Sequence, residues 1–477
     1  MSSHADQAAG RKASPLGELL LLALPTVAQM TSYTVMQFTD TYMLSRVGDL
    51  EAAAAGQAGM FVFSFMSFGV GVLYLVNTLV SQSFGRGDYL RCGQFLWQGL
   101  WFGLLLGMLV LPVLPFAGST FRALGHEPSL VALETRYAWI TLSFAAAKLF
   151  AVAMGQFLLA ISRPNIVLVA AVAGCVVNVV VNWLLIYGNM RFPKLGVAGA
   201  AWGTNAALVA ELIVLAWVIF RDPVRRSFNT LDWQFRRSEL LLLLRTGVPA
   251  GLQIVAEVMA WTLFSIGVMA AFGTTGLAAS NYMFRYMMVS FMPAHGLGHA
   301  VTALVGRYIG MGKPEVAVQR AHLGFLLAGV YMVACGVLMV VFREPMMRLF
   351  SSDSAVIEAG KVLLVWCAIY QILDALYVIY NGALRGAGDT LVPAVVLGVL
   401  VWVVTVFGGW AIARYLPGWG VGGPWFAATC YGTVLGVWLM LRFVAGHWKS
   451  IRLEPDRKES DDVPNVLVGD ARLQEAT

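Results

Sequence analysis

The chain carries one sparse set of marks twice, in the same order and at a nearly constant offset. Pro25-Thr-Val-Ala-Gln29 matches Pro249-Ala-Gly-Leu-Gln253, and Gly48 matches Gly273. Gly85-Arg-Gly87 matches Gly310-Met-Gly312, and Gly196-Val-Ala-Gly199 matches Gly420-Val-Gly-Gly423. An offset that drifts by a single position from the first pair to the last marks a duplicated unit rather than chance composition. Each unit must fold as the same bundle, so any architecture for the whole has to contain that bundle twice.

The unit is almost wholly apolar. Of 477 residues 59% are hydrophobic and 12% charged, about half the charge of a typical soluble domain. A mean hydropathy of +0.73 predicts a polytopic membrane protein. A bilayer core takes about 20 apolar residues per helix, and twelve such spans are legible: 17–45, 52–83, 93–117, 131–162, 165–189, 195–221, 240–271, 275–306, 316–343, 355–384, 390–414 and 420–445. The expected fold is an all-α polytopic membrane protein of twelve transmembrane helices in two six-helix lobes. Six is even, so both units enter from one side and are related by a pseudo-two-fold along the membrane normal. Duplicated hydrophobic bundles of this kind are common among secondary transporters.

The expected domains are a cytoplasmic N-terminal tail (1–15), an N-lobe (16–221), a cytoplasmic basic linker (222–239), a C-lobe (240–447) and a cytoplasmic C-terminal tail (448–477). Charge sets this orientation. With the N-terminus inside, 21 of the 32 Lys and Arg fall on the inner side, nine on the outer side, and two, Lys148 and Arg285, inside spans. That asymmetry follows the positive-inside rule and accounts for a pI near 9.1 without a nucleic-acid partner. The polar residues ahead of the first apolar run make too long a lead for a signal peptide. Five scattered cysteines (Cys92, Cys175, Cys335, Cys367, Cys430) predict neither a disulfide framework nor a zinc site.

Ionisable groups inside spans cost at least about 2.5–3.5 kcal/mol on insertion scales and mark functional candidates. Asp40 lies late in the first span, Glu257 in the seventh and Asp374 in the tenth. Tyr370 and Asp374 are four apart and share a helix face, as do Asn178 and Asn182 in the fifth span. Polar groups can serve simply as interhelical glue, and the asparagines suit that role better than the carboxylates do. The sharper reading is a proton or cation site. Glu211, nearer the inner end with Arg221 and Arg225 within reach of the interface, reads as structural or interfacial. His295 and His299, four apart, line a cavity or hydrogen-bond, because two imidazoles alone make a weak metal site. Arg285, amid Tyr282 and Met288, either neutralises an acid across a cavity or snorkels outward. Lys148 has the same alternatives, with Asp40 as a partner.

These residues resemble the multidrug and toxic compound extrusion (MATE) family across residues 15–447. The carriers are Pro25-x-x-x-Gln29 with Asp40, Asn182-Trp-Leu-Leu-Ile-Tyr-Gly188, Gly196-Val-Ala-Gly-Ala-Ala-Trp-Gly203 and Ala383-Leu-Arg-Gly-Ala-Gly-Asp-Thr390. The resemblance is to the NorM-like branch. It implies a secondary active transporter rather than an enzyme: a monomeric, multi-pass antiporter of the bacterial inner membrane. Such a protein exports organic cations and drugs by alternating access against H⁺ or Na⁺, with lipid as its surroundings and no cofactor. It assigns cation coupling to Glu257, Tyr370, Asp374, Asp40, Asn178 and Asn182, with Na⁺ at Glu257 and Asp374 as the metal alternative. Some relatives carry Asp where Asn182 stands, so Asp40 is the one acid the pattern names in the N-lobe. Arg285, Tyr282, Met288 and His295 are the candidate substrate-cavity residues. The alternative is a flippase for a lipid-linked or amphiphilic substrate, resting on Lys148 and Arg285. No nucleotide loop, surface catalytic cluster or soluble domain supports a membrane enzyme or receptor.

Overall fold

A computed structural model describes residues 14–453. Most of the tails, including the basic Arg457 and Lys458, lie outside the described residues. The helices are α1 (Pro15–Ser45), α2 (Asp49–Gly85), α3 (Tyr89–Val110), α4 (Pro128–Leu142 and Ala145–Ala160), α5 (Pro164–Tyr187) and α6 (Val197–Phe220) in the first half. The second half holds α7 (Arg237–Leu263), α8 (Gly273–Gly310), α9 (Pro314–Val341), α10 (Ser354–Gly386), α11 (Leu391–Tyr415) and α12 (Gly422–Ala445). Each overlaps one span expected from the sequence.

Ten helical stretches among the described residues are long and apolar enough to cross a bilayer, and the bent α4 makes an eleventh. One of the ten, Arg237–Gly310, has 74 residues. At 1.5 Å per residue that is about 110 Å, against a core of about 30 Å, so it is two crossings, α7 and α8. The protein is a twelve-helix, all-α membrane protein.

Sequence signals set the ends. Ser14 accepts the Gly17 N–H at 3.1 Å ahead of Pro15. Asp88 and Asp353 cap α3 and α10 in the same way, and prolines open α5 and α9, where a missing N–H does no harm. The repeat reappears in the α2–α3 and α8–α9 turns. Gly87 and Gly312 take φ of 78° and 68°, and each turn pairs three successive N–H groups with three equivalent carbonyls of the preceding helix. Only glycine adopts that backbone without strain.

Several irregularities interrupt the pattern, among them a π-helical stretch at Phe264–Val268 just after α7. The α4 pair bends by 50° between Leu142 and Ala145, and residues Val401–Gly408 of α11 are π-helical. The expected third span runs to 117, but regular helix stops at Val110 and gives way to a tight turn through Pro112 and Pro115.

Packing joins the halves mainly toward the face that bears the start of α1 and the end of α12, here the terminal face. The first turns of α1 (Leu19, Leu22, Ala23) belong to the core of the second half. Leu240, Leu243 and Ala250 of α7 belong to the core of the first. The exchange is pseudo-symmetric. Gly71 of α2 lies against Ala250 and Gly251, while its repeat equivalent Gly296 lies against Thr26 and Val27, with the Thr26 hydroxyl donating to Gly296 O at 3.0 Å. Nearer the terminal face, Gly85 and Gly310 cross backbone to backbone. Thr78 and Gln82 of α2 donate to the Arg385 and Gly386 carbonyls at 2.9 and 3.0 Å. Glu18 accepts from Tyr308 at 2.7 Å and Arg320 at 2.7 Å.

A Cβ on Gly85 would overlap the Arg307 carbonyl and stand 3.1 Å from Gly310 Cα. Gly85→Leu is therefore expected to destabilise the protein by at least about 1–3 kcal/mol, the range for overpacking. Thermal unfolding in detergent measures this; an unchanged midpoint would mean that the crossing is not close in solution.

Candidate functional site

In the second half, α7 and α10 bring the expected residues together. Tyr377 donates its hydroxyl hydrogen to Glu257 Oε2 at 2.9 Å, and Gln253, one turn before Glu257, donates to the Tyr377 oxygen at 3.4 Å. Asp374 is 4% exposed and within electrostatic reach of Glu257. Tyr370, a turn earlier on the same α10 face, is held edge-on by Trp261 at 5.9 Å and Trp425 at 6.2 Å, its ring lying on Gly432. Tyr431 of α12 faces both acids. The result is a pair of carboxylates ringed by phenols and indoles, with hard oxygen donors suited to H⁺ or a small cation.

In the first half, Asp40 meets α5. Asn182 Nδ2 donates to Asp40 Oδ1 at 2.5 Å and to Asn178 Oδ1 at 3.2 Å. Both asparagines are fully buried. Asn178 and Thr204 face the same carboxylate, and Gly203 gives α6 the room to pack on the Asn182 amide. Among the described residues the Asn182 Oδ1 atom has no hydrogen-bond partner.

Other candidates fall elsewhere. Lys148 holds its ammonium 5.3 Å from the centre of the Tyr33 ring and makes no ion pair with Asp40. Glu211 accepts from Tyr33 at 2.5 Å, a tie between α6 and α1. Arg225 pairs with Asp222 and Arg221 covers Trp217 near the end of α6. His295 and His299 pack against each other at 4.7 Å, with Tyr74 at 4.6 Å from His299. Tyr74 and His299 are repeat equivalents, so this contact lies on the pseudo-two-fold. Arg385 caps Tyr74 at 5.4 Å. Tyr282 stacks on Phe350 at 5.2 Å, while Arg285 and Met288 are exposed. All five cysteines are free thiols. No cluster of three or more His, Cys, Asp or Glu placed for a metal occurs among the described residues.

Sequence reasoning missed Tyr377, Gln253, Tyr431 and the two tryptophans. Tyr377 was within reach of it, because 370, 374 and 377 follow the i, i+4, i+7 stripe of one helix face. Tyr431 and Trp425 come from α12 and carried no local signal.

The MatE family pattern matches residues 25–184 and matches again over 249–410. The chain belongs to the MatE family. The two matches begin at Pro25 and Pro249, the first paired marks of the internal repeat. Members of this family are transporters, not enzymes. A probable multidrug resistance protein NorM of Bradyrhizobium diazoefficiens is 32% identical over 444 residues, covering 89% of this chain and 92% of that protein. The multidrug resistance protein PmpM of Pseudomonas aeruginosa is 31% identical over 410 residues, covering 83% and 82%. A multidrug resistance MATE family transporter solved in an outward-facing conformation superposes with a TM-score of 0.81 at 21% identity, covering 90% of this chain and 96% of that one. A MOP superfamily transporter from Pyrococcus furiosus gives 0.82 at the same identity and coverage. At that identity the solved structures speak to the fold, while the family match and the curated relatives place the chain among MATE transporters.

Proposed function

We propose that this MATE transporter exports organic, mostly cationic compounds from the cell by alternating access, driven by inward flow of H⁺ or Na⁺. One observation supports this above the others. Each half encloses a hydrogen-bonded carboxylate centre at span depth, while the bonds joining the halves gather toward the terminal face. A cation bound in either centre changes its charge, and a charge change beside helices that meet at one face can bias which face is open. Coupling requires that the cation and the drug bind the two states with different affinity. Glu257, Asp374 and Tyr370 then form the C-lobe coupling site, and Asp40, Asn178 and Asn182 the N-lobe site. The flippase alternative draws no support from Lys148 and Arg285, which lie on α4 and α8 without a shared partner.

Reconstituted protein loaded with the fluorescent cation ethidium and given a pH or Na⁺ gradient tests the reading. Dye movement should follow one gradient and collapse when an ionophore dissipates it. Movement indifferent to both gradients would overturn it.

The terminal face belongs in the cytoplasm of a bacterial inner membrane under this reading, with the 222–239 linker and both termini on that side and the protein acting as a monomer. In a cysteine-free background, Ser238→Cys should resist an impermeant maleimide added outside intact cells and react in inverted vesicles. Labelling from outside would reverse the topology.

A further inference from the structure

The two halves contain hydrogen-bonded chains of the same chemistry. In the second half Gln253 donates to the Tyr377 oxygen at 3.4 Å, and Tyr377 donates to Glu257 at 2.9 Å. In the first half Gln29 donates to the Tyr33 oxygen at 3.3 Å, and Tyr33 donates to Glu211 at 2.5 Å. Gln29 and Gln253 are repeat equivalents, each closing the motif that Pro25 or Pro249 opens. At the same offset Tyr33 of α1 stands opposite Glu257 of α7, so one repeat position carries the phenol in one half and the acid in the other. The remaining members, Glu211 of α6 and Tyr377 of α10, are not equivalents, so duplication alone does not produce the shared order amide, phenol, carboxylate.

A simple tie between α1 and α6 would not need a carboxylate. A glutamine at 211 would accept the same Tyr33 hydrogen without the cost of an ionisable group in the membrane. Glu211 is 6% exposed, and the elements packed against it present the following groups. Tyr33 of α1 touches it directly, with Gln29 behind. Lys148 of α4 holds its ammonium against the Tyr33 ring. Tyr74 of α2 lies within electrostatic reach of Tyr33. From α5, the nearest approach is Gly174, where a Cβ would stand 3.8 Å from Glu211 Cβ; it brings no charge. Asp40 lies two helical turns beyond Tyr33 on α1 and has its own partners.

We propose that Glu211 is a further proton-exchange centre of this transporter, the second in the N-lobe after Asp40, filled and emptied through the Tyr33 hydroxyl. The phenol oxygen accepts a proton from a hydronium ion, leaving water, as its own hydrogen passes to Glu211. The carboxylate becomes a neutral acid, the phenol is restored, and the site gains one positive charge. Tyr33 then loses its charged acceptor, and the tie between α1 and α6 weakens from a charge-assisted hydrogen bond to a neutral one, about half as strong. The proposal rests on the cation-coupled reading above.

The test uses the full chain in lipid vesicles and infrared difference spectra recorded across a pH step. Glu211→Gln is expected to remove one protonated-carboxyl band and to lower pH-driven ethidium transport by about tenfold, with thermal stability retained. An unchanged set of carboxyl bands, or full transport in that variant, overturns the proposal. Should Glu211→Gln fail to reach the membrane, Tyr33→Phe keeps the acid and must shift the pH at which the band appears; an unshifted band overturns the proposal equally. The two readings fail separately. Wild-type dye transport that ignores every gradient removes the coupling reading, whereas unaltered bands beside gradient-driven wild-type transport remove only Glu211.

Discussion

Asp374→Asn is expected to abolish gradient-driven efflux while the protein still reaches the membrane. Asp374 is buried on α10 and shares the field of Glu257, so two carboxylates compete for one volume of low dielectric. Such a pair favours a state in which one cation is bound, because two uncompensated charges there repel strongly. Asparagine keeps the shape and removes the charge that needs the cation. The remaining site then has nearly the same affinity for the ion in both conformations, and a ligand without differential affinity shifts no equilibrium. Gradient-driven ethidium export should fall by about two orders of magnitude, equivalent to about 2.7 kcal/mol of lost coupling. Drug binding to the detergent-solubilised protein should change far less. Glu257→Gln should behave alike, but with some loss of order around Tyr377, which donates to it. Tyr377→Phe keeps both charges and removes one hydrogen bond, so its loss should be smaller. Efflux that survives both Asp374→Asn and Glu257→Gln would show that the C-lobe site is misplaced.

The contrast between these residues and Glu211 shows what the sequence could carry. Twelve spans and the repeat are readable because hydrophobic runs and glycine turns are local features with fixed spacing. Tyr370 and Asp374 are readable for the same reason, since a helix turn sets their shared face. Asp40 and Asn182 stand on helices far apart in the chain, yet each is conspicuous alone as a polar group in an apolar span. Glu211 stood out too, but its partner could not be inferred. The Tyr33 hydroxyl is reached only when α1 and α6 pack, and tyrosine is ordinary in a membrane span. The bend in α4 was hidden similarly. No proline marks it: Thr141 and Ser143 instead turn their hydroxyls back onto the Tyr137 and Trp139 carbonyls at 3.0 and 2.7 Å, a local arrangement that bends helices and that two ordinary hydroxyl residues do not announce.

Asp40→Asn is expected to fold and insert as the wild type does but to lose coupled transport. Two effects set the stability. The substitution weakens a charge-assisted bond from Asn182, worth about 1.5–3 kcal/mol. It also removes an ionisable group whose cost within a span is about 2.5–3.5 kcal/mol. The effects are of similar size and opposite sign, so expression and melting should change little. Transport rests on a different quantity, the change of charge at Asp40 between states, and Asn182 and Asn178 respond to that charge directly through their amides. With the charge gone the amides keep one arrangement throughout, and gradient-driven export should drop by about tenfold or more. The bland competitor is a permanent Asp40–Lys148 pair. Lys148 lies instead over Tyr33, beside Glu211, so Lys148→Met alone should leave the Asp40 centre intact and act only through the α1–α6 tie. A permanent pair behaves differently: each single change leaves a charge unmatched and destabilises the protein, and the double neutral variant recovers both expression and transport. Measuring ethidium export and membrane level for the two single variants and the double one separates these cases, and recovered transport in the double variant would end the coupling role of Asp40.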